Sequence, residues 1–168
     1  MMNIVDAYNL LNEWLVKSNG ELIDLGDGEL FSFILKKKFN HTELTSFESN
    51  NNILLPDEYK YFLENVGSVD IFSSEITAGI EVLEPAEIKS FSKEVFDGYG
   101  EDLYPNLLLT TSIPKTGYFG GFWMLEENKN CYSIFYPDVP PEYWIEEAEF
   151  SSFNDWIIKL VKSKSKKI

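Results

Sequence analysis

The stretch Leu54-Leu55-Pro56-Asp57-Glu58-Tyr59-Lys60-Tyr61-Phe62-Leu63-Glu64-Asn65-Val66-Gly67 reads as a short helix with both ends written into it. Proline has no backbone N–H to donate and a φ suited to a helix. Pro56 is therefore read as the first helical position, and it disfavours α conformation at Leu55. Asp57 and Glu58 place negative charge in the first turn, where free N–H groups point. Tyr59, Phe62, Leu63 and Val66 recur at i, i+3, i+4 and i+7, which is one helix face and the one expected to be buried. Gly67 closes the segment, as a left-handed residue after the last turn would.

Working outward, a helix is predicted from about Thr42 to Glu48, with Leu44 and Phe47 inward. Upstream, Ile4, Ala7, Tyr8, Leu11, Trp14 and Leu15 form one stripe, so a first helix is expected from about Asp6 to Lys17, ended by Ser18-Asn19-Gly20. Glu21 to Leu25 and Glu29 to Leu35 read as two strands joined by Gly26-Asp27-Gly28, a glycine-rich hairpin turn. Lys36, Lys37, Lys38 and Phe39 are available to prolong the second.

Downstream, Val69 to Phe72 and Ile76 to Leu83 are strand candidates. Pro85 opens a helix with Ile88, Phe91 and Val95 inward and Gly98 near its end. Leu107 to Thr111 is a continuous apolar run, suited to a strand buried on both faces. Tyr118 to Leu125 and Cys131 to Tyr136 read as an antiparallel pair joined by the turn-rich loop 126–130. Pro137, Pro140 and Pro141 stop the sheet. A last helix starts near Ser152, whose spacing to Asp155 resembles a capping box, and carries the stripe Phe153, Trp156, Ile157, Leu160 and Val161. The lysine-serine tail 162–168 is expected to be a frayed, solvated helix end.

This order does not alternate strand and helix as a doubly wound fold does. It predicts an α+β fold: a single, mainly antiparallel sheet with N-terminal, central and C-terminal helices packed on it. At 168 residues the chain suits one domain and is short for two. Within that one domain an N-terminal helix and hairpin are expected over about 1–40 and a lysine-rich tail over 162–168.

Composition narrows the function classes. Aromatic content of 15% and apolar content of 44% belong to a folded globule. No apolar run approaches the ~18 residues of a membrane span. The N-terminus has neither the basic nor the apolar region of a secretory signal, and one cysteine forms no internal disulfide, so a cytoplasmic location is expected. The net charge is −14, and all 14 basic residues are lysine. Such a surface repels nucleic acid and anionic membranes and favours basic partners.

Chemistry is sparse. His41 is the one histidine, placed before a helix start and read as a loop or cap residue. Cys131 is read as a small buried hydrophobe. Asp24-Leu25-Gly26-Asp27-Gly28-Glu29 superficially resembles a calcium loop, but glycines stand where alternate ligands belong, so it is read as a turn. The carboxylate pairs Glu126-Glu127 and Glu146-Glu147 are expected by chance among 28 acids. No phosphate-cradling or nucleophile motif is present, and without arginine there is no bidentate clamp. No enzyme activity, cofactor or metal is expected.

Leu55-Pro56, the acidic pair, Tyr59, Phe62-Leu63 and Gly67, with Glu48 in the helix before them, resemble the signature of the SUKH superfamily. Gly120-Gly121-Phe122-Trp123 is similar to its glycine-aromatic strand, and Phe150-Ser151-Ser152-Phe153 to its phenylalanine-led last helix. Val66-Gly67 stands where the family has Asn-Gly. The resemblance covers about 42–160, leaves the N-terminal helix and hairpin outside it, and implies an α+β domain in which Glu48, Leu55, Pro56, Tyr59, Phe62, Leu63, Gly67, Gly121 and Phe153 are scaffold. It brings in bacterial immunity proteins that neutralise toxins and, as the alternative, cell-wall-assembly regulators acting as adaptors. An enzyme using carboxylates is the third reading.

A binding surface is expected after Tyr99. Tyr99, Glu101, Asp102, Tyr104, Asp138, Glu142, Tyr143, Trp144, Glu146 and Glu147 mix large rings with carboxylates. Rings supply contact area and carboxylates steer a basic partner. Trp123 and Tyr136 are assigned to strand packing instead. The expected partner is a basic toxin domain, a nuclease among the candidates, with no nucleic acid and no membrane bound. The protein itself is expected to be a monomer or a weak homodimer.

Overall fold

The computed structural model describes residues 1–114, 116–125 and 131–168. Among these, strands β1 (Ile23–Asp24), β2 (Leu30–Lys37), β3 (Ser68–Ser73), β4 (Ala78–Val82), β5 (Leu107–Ile113), β6 (Tyr118–Trp123) and β7 (Tyr132–Phe135) form one sheet in chain order. Each strand pairs antiparallel with the next. Helix α1 (Ile4–Ser18) precedes the sheet. Helices α2 (His41–Asn51) and α3 (Asp57–Asn65) connect β2 to β3, α4 (Pro85–Asp97) connects β4 to β5, and α5 (Pro141–Glu147) and α6 (Phe153–Lys162) follow β7. The fold is α+β with helices packed on an antiparallel sheet, as the element order predicts. No helix among the described residues is long and apolar enough to cross a membrane.

The sheet carries a core on each face. Helices α1, α3 and α6 share one apolar cluster with Val69, Ile71, Leu108 and Phe122. Helices α4 and α5 share the other, built from Val95, Phe96, Leu107, Leu109, Phe135 and Trp144. Successive strand residues point to opposite faces, which is why Leu108 joins the first cluster and Leu107 and Leu109 the second. Every residue of β5 is buried, as a continuous apolar run requires.

The α3 stripe lies where its spacing puts it: Tyr59, Phe62, Leu63 and Val66 are fully buried. Pro56 is extended at φ −58°, ψ 139° and precedes the helix instead of opening it. The capping work passes to Glu48, whose carboxylate accepts the Leu55 N–H at 2.8 Å and meets the Lys60 ammonium at 3.3 Å. Gly67 has φ +120°, outside the left-handed helical region. It is needed for close approach, since a Cβ there would stand 2.6 Å from the Lys37 carbonyl oxygen. A Cβ on Gly120 would overlap the Tyr132 hydroxyl, which donates to Thr111 Oγ1 at 2.9 Å.

Several boundaries differ from expectation. α1 and α2 begin early because Asn3 with Asp6, and Asn40 with Glu43, form capping boxes. His41 is thus the first residue of α2, and Asn40 is the cap. β1 keeps two residues because the Asp24 carboxylate takes the Gly26 and Gly28 N–H groups and turns the chain early. β4 begins at Ala78, not Ile76: Ser74 Oγ accepts the Ile76 and Thr77 N–H groups, leaving Ile76 93% exposed. β6 stops at Trp123, and Leu125 is exposed. Cys131 precedes β7 and is partly buried. The loop 126–130, with Glu126 and Glu127, lies outside the described residues.

Two differences are larger. Pro140-Pro141 starts α5 as well as ending the sheet, because proline suits a first turn. The tail is also tied down: Lys164 Nζ sits 3.0 Å from Asp27 Oδ2, and Lys166 Nζ 3.4 Å from Glu29 Oε1. The two lysines pair with the acidic hairpin, so the tail is anchored there while Lys162, Lys166, Lys167 and Ile168 stay exposed as expected.

Candidate functional site

Two segments meet at one end of the sheet. The first runs from the end of α4 through Asp97-Gly98-Tyr99-Gly100-Glu101-Asp102. Gly100, at φ +74°, turns the chain there, and its N–H returns to the Phe96 carbonyl at 3.2 Å. The second runs from Tyr136 through α5. The Tyr99 hydroxyl joins them by donating to the Pro137 carbonyl at 2.8 Å, and the Tyr99 ring lies 6.1 Å from that of Trp144.

Consecutive residues of a helix point about 100° apart, and α5 uses this to divide its rings. Trp144 is 2% exposed and stacks on Phe135 at 5.2 Å, while its indole N–H donates to the Val139 carbonyl. The expectation that Trp144 meets a partner is corrected: its large apolar surface completes the second core. Tyr143 is 47% exposed, with Glu142, Glu146 and Glu147 exposed around it. Tyr99, Glu101, Asp102 and Asp138 are exposed as well. Tyr104 is half-buried between the two cores, its N–H held by Asp102 Oδ1 at 3.0 Å. Burial raises its phenol pKa, and the Asp102 charge adds to the rise.

Tyr136, which the sequence assigns to packing, is also 47% exposed, edge-on to Tyr118 at 4.7 Å. Asp97 and Glu149 add exposed carboxylates that the sequence reading passes over. Alternation along β7 puts Tyr136 on the face of Tyr132 and Ile134, but it follows the last residue of the strand and lies beyond that core.

Among the described residues the eight acids gathered at this end all lack an ion pair, as do scattered acids elsewhere such as Glu13, Glu21, Glu94 and Asp155. Among the described residues, ion pairs to lysine or histidine engage Asp27, Glu29, Glu43, Glu48, Asp57, Glu64, Asp70 and Glu81. No ion pair of the described residues reaches Asp97, Glu101, Asp102, Asp138, Glu142, Glu146, Glu147 or Glu149. The negative potential of this end is thus uncompensated locally, which is the arrangement that accelerates encounter with a cation-rich surface.

No group of three His, Cys, Asp or Glu among the described residues could hold a metal ion. His41 is at the surface on α2, with Nδ1 3.3 Å from Glu64. Burial raises the thiol pKa of Cys131, away from the thiolate that nucleophilic chemistry needs. What the arrangement offers is contact area, hydrogen-bond acceptors and charge.

No family model matches the chain. It is 60% identical over 167 residues to the immunity protein RhsIB of Dickeya dadantii (strain 3937), an alignment covering 99% of this chain and 100% of that protein.

Proposed function

The chain belongs to the family of the immunity protein RhsIB, and from that membership we propose that it binds and neutralises a cognate toxin as a non-enzymatic module acting in the cytoplasm. The full-length identity carries this reading. The contact surface is the end of the sheet formed by Tyr99, Glu101, Asp102, Asp138, Glu142, Tyr143, Glu146 and Glu147, with Tyr104 beneath it. Its support is the coincidence of exposed tyrosines with unpaired carboxylates. Tyrosine brings large area at low entropic cost, and carboxylates select a basic face. The partner is accordingly a basic toxin domain. If that toxin is a nuclease, the surface competes for the site its nucleic-acid substrate would occupy.

We assign the whole chain to one SUKH-like domain. The support is mechanical: Glu48, Leu55 and Pro56 act together at the start of α3, and Tyr59, Phe62, Leu63, Gly121 and Phe153 lie in the packed interior or at its closest approaches.

The test is co-expression with the toxin domain encoded beside this chain's own gene, followed by gel filtration of the purified pair. Restored growth and a stable complex are expected. Unaltered killing with no complex would overturn the reading. Capture of several housekeeping proteins in place of one toxin would point to an adaptor.

A further inference from the structure

β7 closes the sheet, and its outer edge is only partly covered. Tyr132 exchanges backbone hydrogen bonds with Ser151, its N–H donating at 3.0 Å and its carbonyl accepting at 2.8 Å. In an antiparallel strand the backbone groups of alternate residues point the same way. Ile134 therefore turns its N–H and carbonyl to that same outer edge. There the opposite chain has moved away: the Glu149 carbonyl takes the Ser133 hydroxyl at 3.3 Å instead of a ladder bond from Ile134. The separation leaves a cavity of about 410 Å³, walled by Ile134, Tyr136, Glu147, Glu149, Trp156 and Lys159 among others.

We propose that this slot receives an extended, basic segment of the bound toxin, added to the sheet as a strand beside β7; the inference rests on the toxin-binding reading above. The Ile134 carbonyl meets only the long, shared contact of the Ser133 hydroxyl at 3.5 Å, and an edge residue with an open N–H is a template for a further strand. The charge of the rim selects which strand. Glu147 and Glu149 stand against the single ammonium of Lys159, and neither carboxylate is ion-paired among the described residues. Glu147 also belongs to the acidic face of α5, so the slot continues that face around the end of the sheet. Trp156 lines the slot with its ring and is 5% exposed; its indole N–H is buried and has no acceptor among the described residues.

The test is hydrogen exchange at the Ile134 amide, read by NMR on the free chain and on its complex with the toxin domain encoded beside its gene. Exchange is expected to slow at least about tenfold in the complex, since the amide passes from an open edge to a ladder bond. Ile134→Pro removes the outward N–H, which an edge strand tolerates, together with the part of the Ile134 side chain that packs on the first core. It is expected to weaken the complex about tenfold with the fold retained. A complex in which the Ile134 amide exchanges at its free rate overturns this inference and leaves the toxin-binding reading standing. Absence of any complex overturns both. Protection of the amide in the free chain that rises with its concentration assigns the edge to a second copy and also overturns the proposal.

Discussion

The carboxylate of Glu48 accepts the backbone N–H of Leu55 at 2.8 Å across the turn between α2 and α3. The other oxygen lies 3.3 Å from Lys60 Nζ, on the first turn and a half of α3. A proline at the N-cap supplies no side-chain acceptor of its own, so the previous helix contributes one. Glu48→Ala leaves the Leu55 donor and the Lys60 ammonium without this partner and is expected to cost about 1–3 kcal/mol. Glu48→Gln keeps an acceptor and is expected to cost less. Urea unfolding of both variants checks the order; equal losses would remove the hydrogen bond as the cause.

Neighbouring rings on α5 are expected to behave oppositely. Trp144→Ala empties the second core and should destabilise by about 3–5 kcal/mol. Tyr143→Ala removes an exposed ring and should leave stability within about 0.5 kcal/mol of the parent while weakening the toxin complex. Thermal melts and calorimetric titration of the pair separate the two. A Tyr143→Ala protein that binds with unchanged affinity would take this residue out of the interface.

Charge reversal on the same helix tests steering. Glu142→Lys combined with Glu146→Lys is expected to lower the association rate with the toxin at least about tenfold at low ionic strength, with a smaller effect on dissociation. Raising salt should shrink the gap between variant and parent, because exposed charges are screened. Stopped-flow association at several salt concentrations is the measurement. A salt-independent difference would mean that a lost contact, not the long-range field, is responsible.

Two glycines are expected to admit no side chain. Gly67→Ala meets the Lys37 carbonyl at a positive φ, and Gly120→Ala meets the Tyr132 hydroxyl and Thr111. Each should cost about 1–3 kcal/mol through overpacking. Gly100→Ala, where nothing stands within 4 Å of the added carbon, is expected to lose only the conformational preference of its positive φ. Denaturation midpoints that rank Gly100→Ala as the most damaging would contradict the packing argument.

Asp70 supplies a pH dependence. It faces Glu81 across β3 and β4, and Lys36 reaches Glu81 at 2.7 Å and Asp70 at 3.6 Å. Burial holds the Asp70 carboxyl above its ordinary pKa; Lys36 opposes the rise and Glu81 adds to it. A raised folded pKa means that the folded state keeps the proton where the unfolded chain releases it. Stability from this group therefore falls as pH rises from the unfolded pKa through the folded one, and recovers on acidification. Asp70→Asn should remove that slope, so the melting temperature of the parent gains on the variant between about pH 6 and pH 4. Parallel curves over this range would refute the assignment.

The helices most legible in the chain were those whose apolar period and end signals agreed. α3 and α6 lie where Tyr59, Phe62, Leu63 and Val66, and Phe153, Trp156, Ile157, Leu160 and Val161, place them. α5 escaped notice because two prolines read equally well as the end of a strand and as the first turn of a helix. The choice was made by Trp144, which finds its place only against Phe96, Phe119 and Phe135, residues distant in the chain.

Local chemistry by itself determined the α+β class, the antiparallel pairing and most element positions, because helix periods, caps and turn residues act over a few neighbours. Tertiary structure decided which aromatics are surface and which are core. Tyr143 and Trp144 are adjacent and chemically alike, and only the packing of α5 on the sheet separates them. It likewise decided which acids are free: a carboxylate in sequence carries no record of whether a lysine such as Lys164, far along the chain, folds back to meet it. The candidate surface was therefore legible as a composition, and long-range contacts decided which of its residues are exposed.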